Sequence, residues 1–396
     1  MKNIKSSGIS FEKKIVLLRL DLNVPLENGK ITDTSRIDKI IPTLNFLIQK
    51  KAQIIIISHV GRPKGKMVAE LSLEPICKNL SEKINKNINL IKSDPKKINK
   101  KELFSNSDSN IAMLENIRFY KEEEKDETMF AQSIANLGDI YINDAFSCSH
   151  RKHASVFSIT KFLPSFAGLQ LSLELEALEK ITKKIEKPIT CIIGGSKIST
   201  KINIINNLIP KFDNMIIVGG MANNILKYKK YPIGKSIKED GCDHIIEQIF
   251  YHSKKQNCKI IYPSDVCVGK NLEGSATIKN LDEVLDDDLI LDIGPKTIKN
   301  IQDIIDKSKT ILWNGPAGYF ENTNFSKGSL EIAKKISKKN ELNEIFSVAG
   351  GGDTVASLNN FGLTNNFNFV STAGGAFLEF LEGKELPGIK ALNYYV

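Results

Sequence analysis

The fold is decided between residues 15 and 57, which read IVLLRLDLNVPLENGKITDTSRIDKIIPTLNFLIQKKAQIIII. Residues 15–20 form a short, mostly apolar run of the kind that builds a strand buried on both faces. A run of isoleucines follows at 54–57, and between the two runs apolar residues recur at helical spacing at Ile37, Ile41, Leu44, Leu47 and Ile48. The order strand, helix, strand predicts a parallel βαβ unit.

The same alternation continues along the chain. Further apolar runs lie at 111–114 and 140–142 in the first half, and at 189–193, 215–218, 260–262, 310–313, 345–349 and 367–370 in the second. Before Pro188, one helical face is marked by Leu171, Leu175, Leu178, Ile181 and Ile185. We therefore predict an α/β protein with two doubly wound, Rossmann-like parallel-sheet domains, 1–170 and 188–387, joined by a linking helix at 171–187.

Length and composition restrict the class of protein. A chain of 396 residues exceeds what one hydrophobic core usually supports, which favours two domains. No apolar run approaches the roughly 18 residues of a membrane span, and the first residues lack an apolar signal core, so we expect a soluble, cytoplasmic protein that binds no membrane. Six cysteines without CxxC spacing and five histidines form no zinc pattern, which indicates reduced thiols.

The arginines are few and unevenly distributed. The formal net charge is +9, yet only five of the 55 basic residues are arginine, and all five lie in the first 151 residues. Arginine offers carboxylate and phosphate a planar, bidentate fork that lysine lacks. Since lysine is otherwise preferred in this chain, the arginines indicate an anion site in the N-terminal half. They are Arg19, Arg36, Arg62, Arg118 and Arg151.

Polar residues follow the predicted strands of the first half, where ligands of parallel sheets bind. The segments are Asp21-Leu22-Asn23, His59-Val60-Gly61-Arg62, Arg118, and His150, Arg151 and His153. Arg19 lies just inside its strand, where it either orients the neighbourhood of Asp21 and Asn23 or forms an internal salt bridge. The acidic cluster at 122–124 predicts a solvated helix start without a catalytic role.

Glycine turns follow the predicted strands of the second half, at 194–195, 219–220, 315, 350–352 and 374–375. Such turns at helix starts expose backbone N–H groups to phosphates. Lys197 and Lys201 are predicted on the first turns of one helix, facing the same anion. Asp353 either holds Mg²⁺ or caps its helix. Residues 234–236 (GKS) are not a Walker A loop, because Lys229 stands where that motif needs glycine.

Taken in order, these segments resemble the phosphoglycerate kinase family over essentially the whole chain. The resemblance is very specific, because an ordered set of motifs carries it. The motifs are LRLDLNVP at 18–25, SHVGRP at 58–63, LENIRF at 114–119, NDAF at 143–146, His150-Arg151, LDIGP at 291–295, WNGP at 313–316 and EGKELPG at 382–388.

The resemblance implies a site in each domain. It implies that the N-terminal domain, joined by the last segment 388–396, binds 3-phosphoglycerate or 1,3-bisphosphoglycerate through Asp21, Leu22, Asn23, Arg36, His59, Val60, Gly61, Arg62, Arg118 and Arg151. It implies that the C-terminal domain binds Mg-ADP or Mg-ATP, with Asp353 at the metal and Glu321 at the ribose. The implied nucleotide-binding set is Gly195, Lys201, Gly294, Asn314, Glu321, Gly351, Gly352, Asp353 and Thr354.

The activity implied is that of a glycolytic phosphotransferase with a carboxyl group as acceptor, working as a monomer and without nucleic acid. An acyl phosphate is an activated donor, so alignment and charge neutralisation suffice for transfer. After domain closure that excludes water, we expect the transferring phosphoryl group to be contacted by Arg36, Lys197, Lys201 and the backbone near Gly374 and Gly375.

Three departures from the usual family residues stand out: Ser147-Cys148-Ser149 in place of small Gly/Thr/Ala residues, Tyr120 in place of a common histidine, and Ala373 in place of the first of three glycines. Ala373 keeps its backbone N–H, so we expect the anion-binding turn to form as it does with glycine. Two alternatives remain open. One is a basic nucleic-acid-binding protein without phosphotransfer, suggested by the net charge; the other is a different carboxylate or acyl-phosphate kinase on a similar fold.

Overall fold

The computed structural model describes residues 3–100, 103–104 and 110–393. Contacts divide the described chain into two compact units. The first comprises the described residues up to Leu175 together with those from Glu385 onward, and the second comprises Glu176–Lys384. The last part of the predicted C-terminal segment, 394–396, lies outside the described residues.

A parallel sheet forms the centre of the first unit. The strands are β1 (Ile15–Arg19), β2 (Leu26–Glu27), β3 (Lys30–Ile31), β4 (Gln53–Ile57), β5 (Asn89–Ile91), β6 (Ile111–Leu114), β7 (Ile140–Asn143) and β8 (Ser165–Ala167). The sheet has the order β5-β6-β4-β1-β7-β8, while β2 and β3 form a separate hairpin. The helices that follow these strands are α1 (Ser35–Gln49), α2 (Glu74–Ile84), α3 (Lys121–Glu124), α4 (Thr128–Ala135) and α5 (Leu169–Thr182).

The first sheet is held by a core that its sequence pattern anticipates. Alternate residues of β1 and β4, such as Val16, Leu18 and Ile54, pack with the apolar face of α1, where Ile37 and Leu44 are fully buried. Each such side chain stabilises the fold by about 1.5–3 kcal/mol on burial. Because both faces of the sheet are covered, polar side chains are confined to the strand ends.

The second unit repeats the scheme around another parallel sheet. Its strands are β9 (Ile189–Ile193), β10 (Asn214–Ile217), β11 (Lys259–Ile261), β12 (Asp265–Gly269), β13 (Thr277–Asn280), β14 (Leu289–Ile293), β15 (Thr310–Asn314), β16 (Phe346–Gly350) and β17 (Phe369–Ser371). Its helices are α6 (Ile202–Leu208), α7 (Gly220–Tyr228), α8 (Asp243–Gln256), α9 (Pro295–Lys307), α10 (Lys327–Glu341), α11 (Gly352–Asn360) and α12 (Gly375–Leu381).

The order of the second parallel sheet is β11-β10-β9-β15-β16-β17. The chain proceeds outward from β9 to β11 and then returns to the other side of β9 with β15. The strand order therefore reverses between β9 and β15, and this is where doubly wound sheets bind ligands. The predicted fold class is confirmed by these two parallel sheets of the described chain.

Some strands were not predicted. They are the hairpin β2–β3, the short β5 and β8 in the first sheet, and an antiparallel sheet of order β13-β12-β14 in the second unit. Helix α5, which contains the boundary between the two units, ends at Thr182, whereas the predicted linking helix extends to residue 187. Six residues of irregular chain, 183–188, precede β9, and they include a cis Lys187–Pro188 peptide bond.

The end of the described chain belongs to the first unit. Helix α13 (Pro387–Ala391) contacts the loop after β7, and the Gly388 N–H donates to the Ser149 carbonyl oxygen at 2.8 Å. All six cysteines are buried and form no disulfide. Within the ranges described, no helix has both the length and the apolar character needed to span a bilayer.

Gly388 gives a test of this docking. A Cβ atom there would lie 2.7 Å from Val156 Cγ1 and 2.9 Å from Ser149 Cα. Although alanine favours helices, we expect Gly388→Ala to lower the free energy of unfolding of the first unit by about 1–3 kcal/mol, because the Ser149 backbone cannot move aside. Urea denaturation measures the change. The exposed Lys390→Ala on the same helix serves as control, and an equal effect of both variants would contradict tight docking.

Candidate active site

The carboxyl ends of β1, β4, β6 and β7 carry the predicted triose-acid residues of the first unit. These strands are neighbours in one parallel sheet, so the residues that follow them lie along one edge. Asp21 to Asn23 follow β1, His59 to Arg62 follow β4, Arg118 follows β6, and Arg151 follows β7. Arg36 comes from the first turn of α1.

Five of these residues form a continuous hydrogen-bonded set. Arg36 Nη1 donates to Asp21 Oδ1 and to the Asn23 carbonyl oxygen, both at 3.1 Å. Asn23 Oδ1 accepts the N–H of Gly61 at 2.8 Å, and Arg118 Nη1 donates to the Gly61 carbonyl oxygen at 3.1 Å. Two guanidinium groups are thus held by acceptors from two strand ends, those of β1 and β4. Such fixed cations suit an anionic ligand.

The remaining predicted residues of this edge differ in exposure. Arg62 and Arg151 are exposed, so their guanidinium groups are accessible to a ligand. Leu22 is fully buried, and its N–H donates to Ser58 Oγ at 3.2 Å. The Val60 carbonyl oxygen accepts from Asn116 Nδ2 at 2.8 Å. Leu22 and Val60 therefore shape the loops rather than offer a polar side chain.

Arg19 and the acidic cluster occupy other places than expected. Arg19 is fully buried and its guanidinium contacts His59, not Asp21 or Asn23. Glu123 was predicted to be solvated, but it is fully buried and accepts the Ser155 N–H at 2.8 Å and the Ser155 hydroxyl at 2.6 Å. That prediction was wrong because α3 is a single turn, so one of its three glutamates points inward.

In the second unit, a cavity of about 430 Å³ opens at the reversal point of the parallel sheet. Its lining includes Gly195, Glu321 and Asp353 from the predicted nucleotide-binding set. The two glycine turns that meet here must approach closely. A Cβ at Gly194 would lie 2.4 Å from the Pro316 carbonyl oxygen, and one at Gly315 would lie 2.3 Å from the Gly194 carbonyl oxygen.

Lys201 and Asn314 link the ends of β9, β15 and β16. Lys201 Nζ donates to Asn314 Oδ1 at 2.8 Å, and Asn314 Nδ2 donates to the Gly350 carbonyl oxygen at 2.6 Å. Burial lowers the pKa of Lys201, an effect that the Asp353 carboxylate opposes. The ammonium group has three donors, so the bond to Asn314 leaves others for phosphate oxygens. Thr354 joins this group because its Oγ1 accepts the Gly315 N–H at 2.6 Å.

Lys197 does not lie on a helix with Lys201, so that prediction was wrong. Helix α6 begins at Ile202, Lys201 precedes it, and Lys197 belongs to an irregular turn. The turn is held from outside by Glu239, whose carboxylate accepts the Ser199 N–H at 3.0 Å and the Ser199 hydroxyl. This tertiary anchor replaces the helical hydrogen bonds that the spacing suggested.

The other predicted glycines have distinct surroundings. Gly294 is the N-cap of α9, and a Cβ there would lie 2.3 Å from Asp265 Cγ, so close packing accounts for it. Gly351 and Gly352 begin α11, while Gly374 and Gly375 begin α12. The Ala373 N–H, at the position that departs from the family, donates to Ser371 Oγ at 3.3 Å. The alanine therefore fits this turn.

Several cavity residues were not in the predicted set. Gly219, Gly220 and Asn223 come from the start of α7, Tyr319 lies beside Glu321, and 289–293 is strand β14. The glycine pair could have been assigned to the site from the sequence, since it follows a predicted strand. The apolar run LILDI at 289–293 could have been predicted as a strand, but its antiparallel pairing with β12 could not.

A Mg²⁺ ion fits this donor set only as part of a nucleotide complex. In the described ranges no group of three or more His, Cys, Asp and Glu side chains could hold a metal. Asp353 offers a single exposed carboxylate at the start of α11. Magnesium is commonly bound by one or two carboxylates with substrate phosphates and water, so the chemistry is compatible.

Comparisons with known proteins agree over nearly the whole chain. The family model described as phosphoglycerate kinase matches residues 6–384. The chain belongs to the phosphoglycerate kinase family. The phosphoglycerate kinase of Wolbachia sp. subsp. Brugia malayi (strain TRS) is 45% identical over 382 residues, 96% of each chain. That of Wolbachia pipientis wMel is 45% identical over 394 residues, 99% of each chain.

Solved structures give the same result. The phosphoglycerate kinase of Coxiella burnetii has 40% sequence identity and a TM-score of 0.89, covering 98% of this chain and 97% of its own. That of Pyrococcus horikoshii OT3 has 28% identity and a TM-score of 0.82, covering 99% of this chain and 98% of its own.

The resemblance seen in the motifs is confirmed, and the chain is a glycolytic phosphotransferase. The nucleic-acid-binding alternative finds no support. Membership implies 3-phosphoglycerate and a nucleotide with Mg²⁺ as substrates in general terms.

Asp292, which lines the cavity, allows a test of stability against pH. Burial raises the pKa of Asp292 to about 7, although the N–H groups of Gly328 and Ile293 stabilise the carboxylate at 2.6 and 2.9 Å. A carboxyl with a raised pKa stabilises the folded state fully below its unfolded pKa, and this contribution is lost as the pH rises through about 7.

We therefore expect Asp292→Asn, which keeps one of the two oxygen acceptors, to gain stability relative to the native chain as the pH rises. One pKa unit corresponds to about 1.4 kcal/mol, so the difference between pH 5 and pH 8 should amount to roughly 1–4 kcal/mol. Urea unfolding of both proteins at each pH measures it. A difference that stays constant with pH would show that Asp292 does not titrate in this range.

Proposed function

We propose that this chain catalyses the reversible transfer of a phosphoryl group from 1,3-bisphosphoglycerate to Mg-ADP, giving 3-phosphoglycerate and ATP. The observation that carries the proposal is the hydrogen-bonded set from Arg36 to Arg118 at one sheet edge. It holds two guanidinium groups in fixed places, which suits a small ligand with anionic groups at both ends.

The triose acid is proposed to bind at this edge. Positive charge is supplied by the exposed Arg62 and Arg151, the half-buried Arg36 and the buried Arg118. Asp21 and Asn23 orient Arg36. His59 adds a polar ring beside them. Because Arg36 and Arg118 are already oriented by acceptors, little conformational entropy is lost when a ligand binds.

The nucleotide is proposed to bind in the cavity of the second unit. Its glycine-lined walls allow a flat ring system to approach the backbone, and Glu321 at the rim offers a carboxylate to ribose hydroxyl groups. Lys201, Asn314 and the start of α11 from Gly351 to Thr354 are proposed to face the phosphates. When bound with the nucleotide at Asp353, Mg²⁺ supplies charge neutralisation of the phosphate oxygens.

The chemical step needs no covalent enzyme intermediate. In the direction of ATP formation, a β-phosphate oxygen of ADP forms a bond to phosphorus while the bond from phosphorus to the acyl oxygen breaks, and the carboxylate leaves without needing a proton. Arg36, Lys197, Lys201 and the N–H groups near Gly374 and Gly375 are proposed to stabilise the charge on the group in transit. In-line transfer requires the two ligands to meet, so we propose that closure about the segment containing α5 precedes it.

The remaining features of the proposal follow from the family and the chain's character. We propose a cytoplasmic monomer that needs neither nucleic acid nor a membrane. A coupled assay with 3-phosphoglycerate and Mg-ATP, following ADP release, tests the reaction directly. Absence of turnover, with phosphorylation of another carboxylate in a substrate panel, would favour a related kinase of different specificity.

Arg36→Ala tests the charge at the triose-acid edge. A positioned charge of this kind contributes about 2–4 kcal/mol to the transition state, so we expect kcat to fall by roughly two to three orders of magnitude. Steady-state kinetics measure the change. Lys50→Ala is the control, because Lys50 ends the same helix and its ammonium lies over the Phe46 ring. Near-normal turnover of the Arg36 variant would refute its assigned role.

Asp353→Asn tests the nucleotide side independently. Loss of a charge-assisted contact costs roughly 1.5–3 kcal/mol, so we expect the KM for Mg-ATP to rise about tenfold or more. The KM for 3-phosphoglycerate should be unchanged, since that ligand binds the other unit. Asp306→Asn removes an exposed carboxylate that pairs with Lys335 and provides the matched control. An increase in both KM values would count against separate sites.

A further inference from the structure

All three nitrogens of the Arg19 guanidinium group contact hydrogen-bond partners inside the first unit. Nε donates to Ser155 Oγ at 3.0 Å, Nη1 donates to the Leu20 carbonyl oxygen at 2.6 Å, and Nη2 lies 3.0 Å from His59 Nδ1. The side chain is fully buried at the end of β1. It therefore acts on the ligand edge through His59 and not by direct contact.

The contact between Arg19 and His59 determines which ring nitrogen carries the proton. A guanidinium group has only N–H donors, so His59 Nδ1 must be the acceptor. A neutral imidazole with an unprotonated Nδ1 carries its proton on Nε2. The opposite ring orientation would place a C–H group against the Arg19 donor and leave that donor unsatisfied in a buried place, which costs about 1–3 kcal/mol.

The charged groups around His59 disfavour a second proton. The charged groups are Arg19 from β1, Arg36 from α1 and Arg118 from the turn after β6. The loop after β7 adds two titratable but uncharged neighbours, His153 and Cys148. Burial of the ring, followed by the positive charge of Arg19 and Arg118, holds the pKa of His59 well below its usual range. An imidazolium ion here would be unfavourable.

Arg19 is itself fixed from behind. Ser155 accepts from Arg19 Nε and donates its own hydroxyl hydrogen to Glu123 Oε1 at 2.6 Å, and its N–H donates to Glu123 Oε2 at 2.8 Å. The Ser155 carbonyl oxygen accepts the Tyr141 hydroxyl at 2.7 Å. These groups are fully buried, so the guanidinium has no freedom to turn away from His59.

We propose that Arg19 is a positioning residue that locks His59 as a neutral imidazole with its proton on Nε2, so that His59 donates a hydrogen bond to an anionic oxygen of the triose acid. In the described part of the chain, the hydrogen-bond contacts of the ring are all at Nδ1, which leaves Nε2 for the ligand. The ligand's identity rests on the proposed function, whereas the tautomer does not.

Two consequences distinguish this role from that of an ordinary site histidine. His59 contributes no net charge, so the arginines supply the positive charge of the edge. We also expect the ring to stay neutral in the pH range in which histidines usually titrate, because burial and the neighbouring guanidinium groups disfavour its protonated form. His59 is then neither a general base nor the source of a pH limb in turnover.

Long-range ¹H–¹⁵N correlation spectra of the ¹⁵N-histidine-labelled chain test the proposal. The chain has five histidines, and the resonances lost in His59→Gln assign His59. We expect the pattern of the Nε2–H tautomer, unchanged between pH 5 and 8, and a shift of the Nε2–H resonance when 3-phosphoglycerate is added. An Nδ1–H pattern, or a titration midpoint within this range, overturns the proposal.

A pair of variants separates positioning from structural support. Arg19→Lys keeps a buried positive charge but shortens the reach to Nδ1, so we expect both tautomers of His59 and a KM for 3-phosphoglycerate raised about tenfold, with the KM for Mg-ATP unchanged. Tyr141→Phe removes only the hydroxyl that donates to the Ser155 carbonyl oxygen, leaves all three hydrogen bonds of Arg19 in place, and should retain the tautomer. If Arg19→Lys does not fold, the spectra of the native chain still decide.

The outcomes also distinguish this proposal from the proposed function. In one outcome, the chain turns over 3-phosphoglycerate while the Nε2–H resonance does not shift when this substrate is added. That outcome overturns the proposed role of His59 and leaves the proposed function standing. Absence of turnover in the coupled assay overturns the proposed function instead, while the tautomer measurement stands by itself.

Discussion

The structure depends on the high free-energy cost of placing a charge inside a parallel sheet covered on both faces. Charged side chains are therefore absent from most strand interiors and gather where the strands end. In a parallel sheet all carboxyl ends share one edge, so this exclusion also concentrates the polar chemistry. In the first unit it gathers arginines, and in the second it gathers glycine turns that present backbone N–H groups. Arg19 is the informative exception, because it is buried at a strand end and its charge is matched by polar partners.

Much of the fold could be predicted because buried parallel strands are marked in the sequence itself. Runs such as 54–57 and 189–193 are apolar on both faces, and the helices between them show a single apolar face. The antiparallel sheet escaped prediction because β13 is mostly exposed and polar, and its pairing with β12 depends on contacts that local sequence does not encode. The short strands β5 and β8 add only three residues each to the sheet edges, too few for a periodic signal.

The site was partly predictable for a different reason. Arginine is scarce in this chain, so its positions indicated where a planar cation is required. The contacts that fix those positions were not predictable. The turn that contains Lys197 is held by Glu239 through Ser199, 40 residues away in the sequence, rather than by a helix, since this segment lies before the first helical turn. Glu123 lies among its acidic neighbours in the sequence, yet only tertiary contact with Ser155 reveals it as an internal acceptor.

The central claim is that the triose acid and the magnesium nucleotide bind to different units. A crystal structure with 3-phosphoglycerate and Mg-ADP bound tests this most directly. The account predicts the triose acid at the first sheet's edge, within hydrogen-bond distance of Arg36 and Arg118. It predicts the nucleotide in the cavity of the second unit, with its ribose against Glu321. Density for both ligands in one unit, or for the nucleotide outside that cavity, would contradict it.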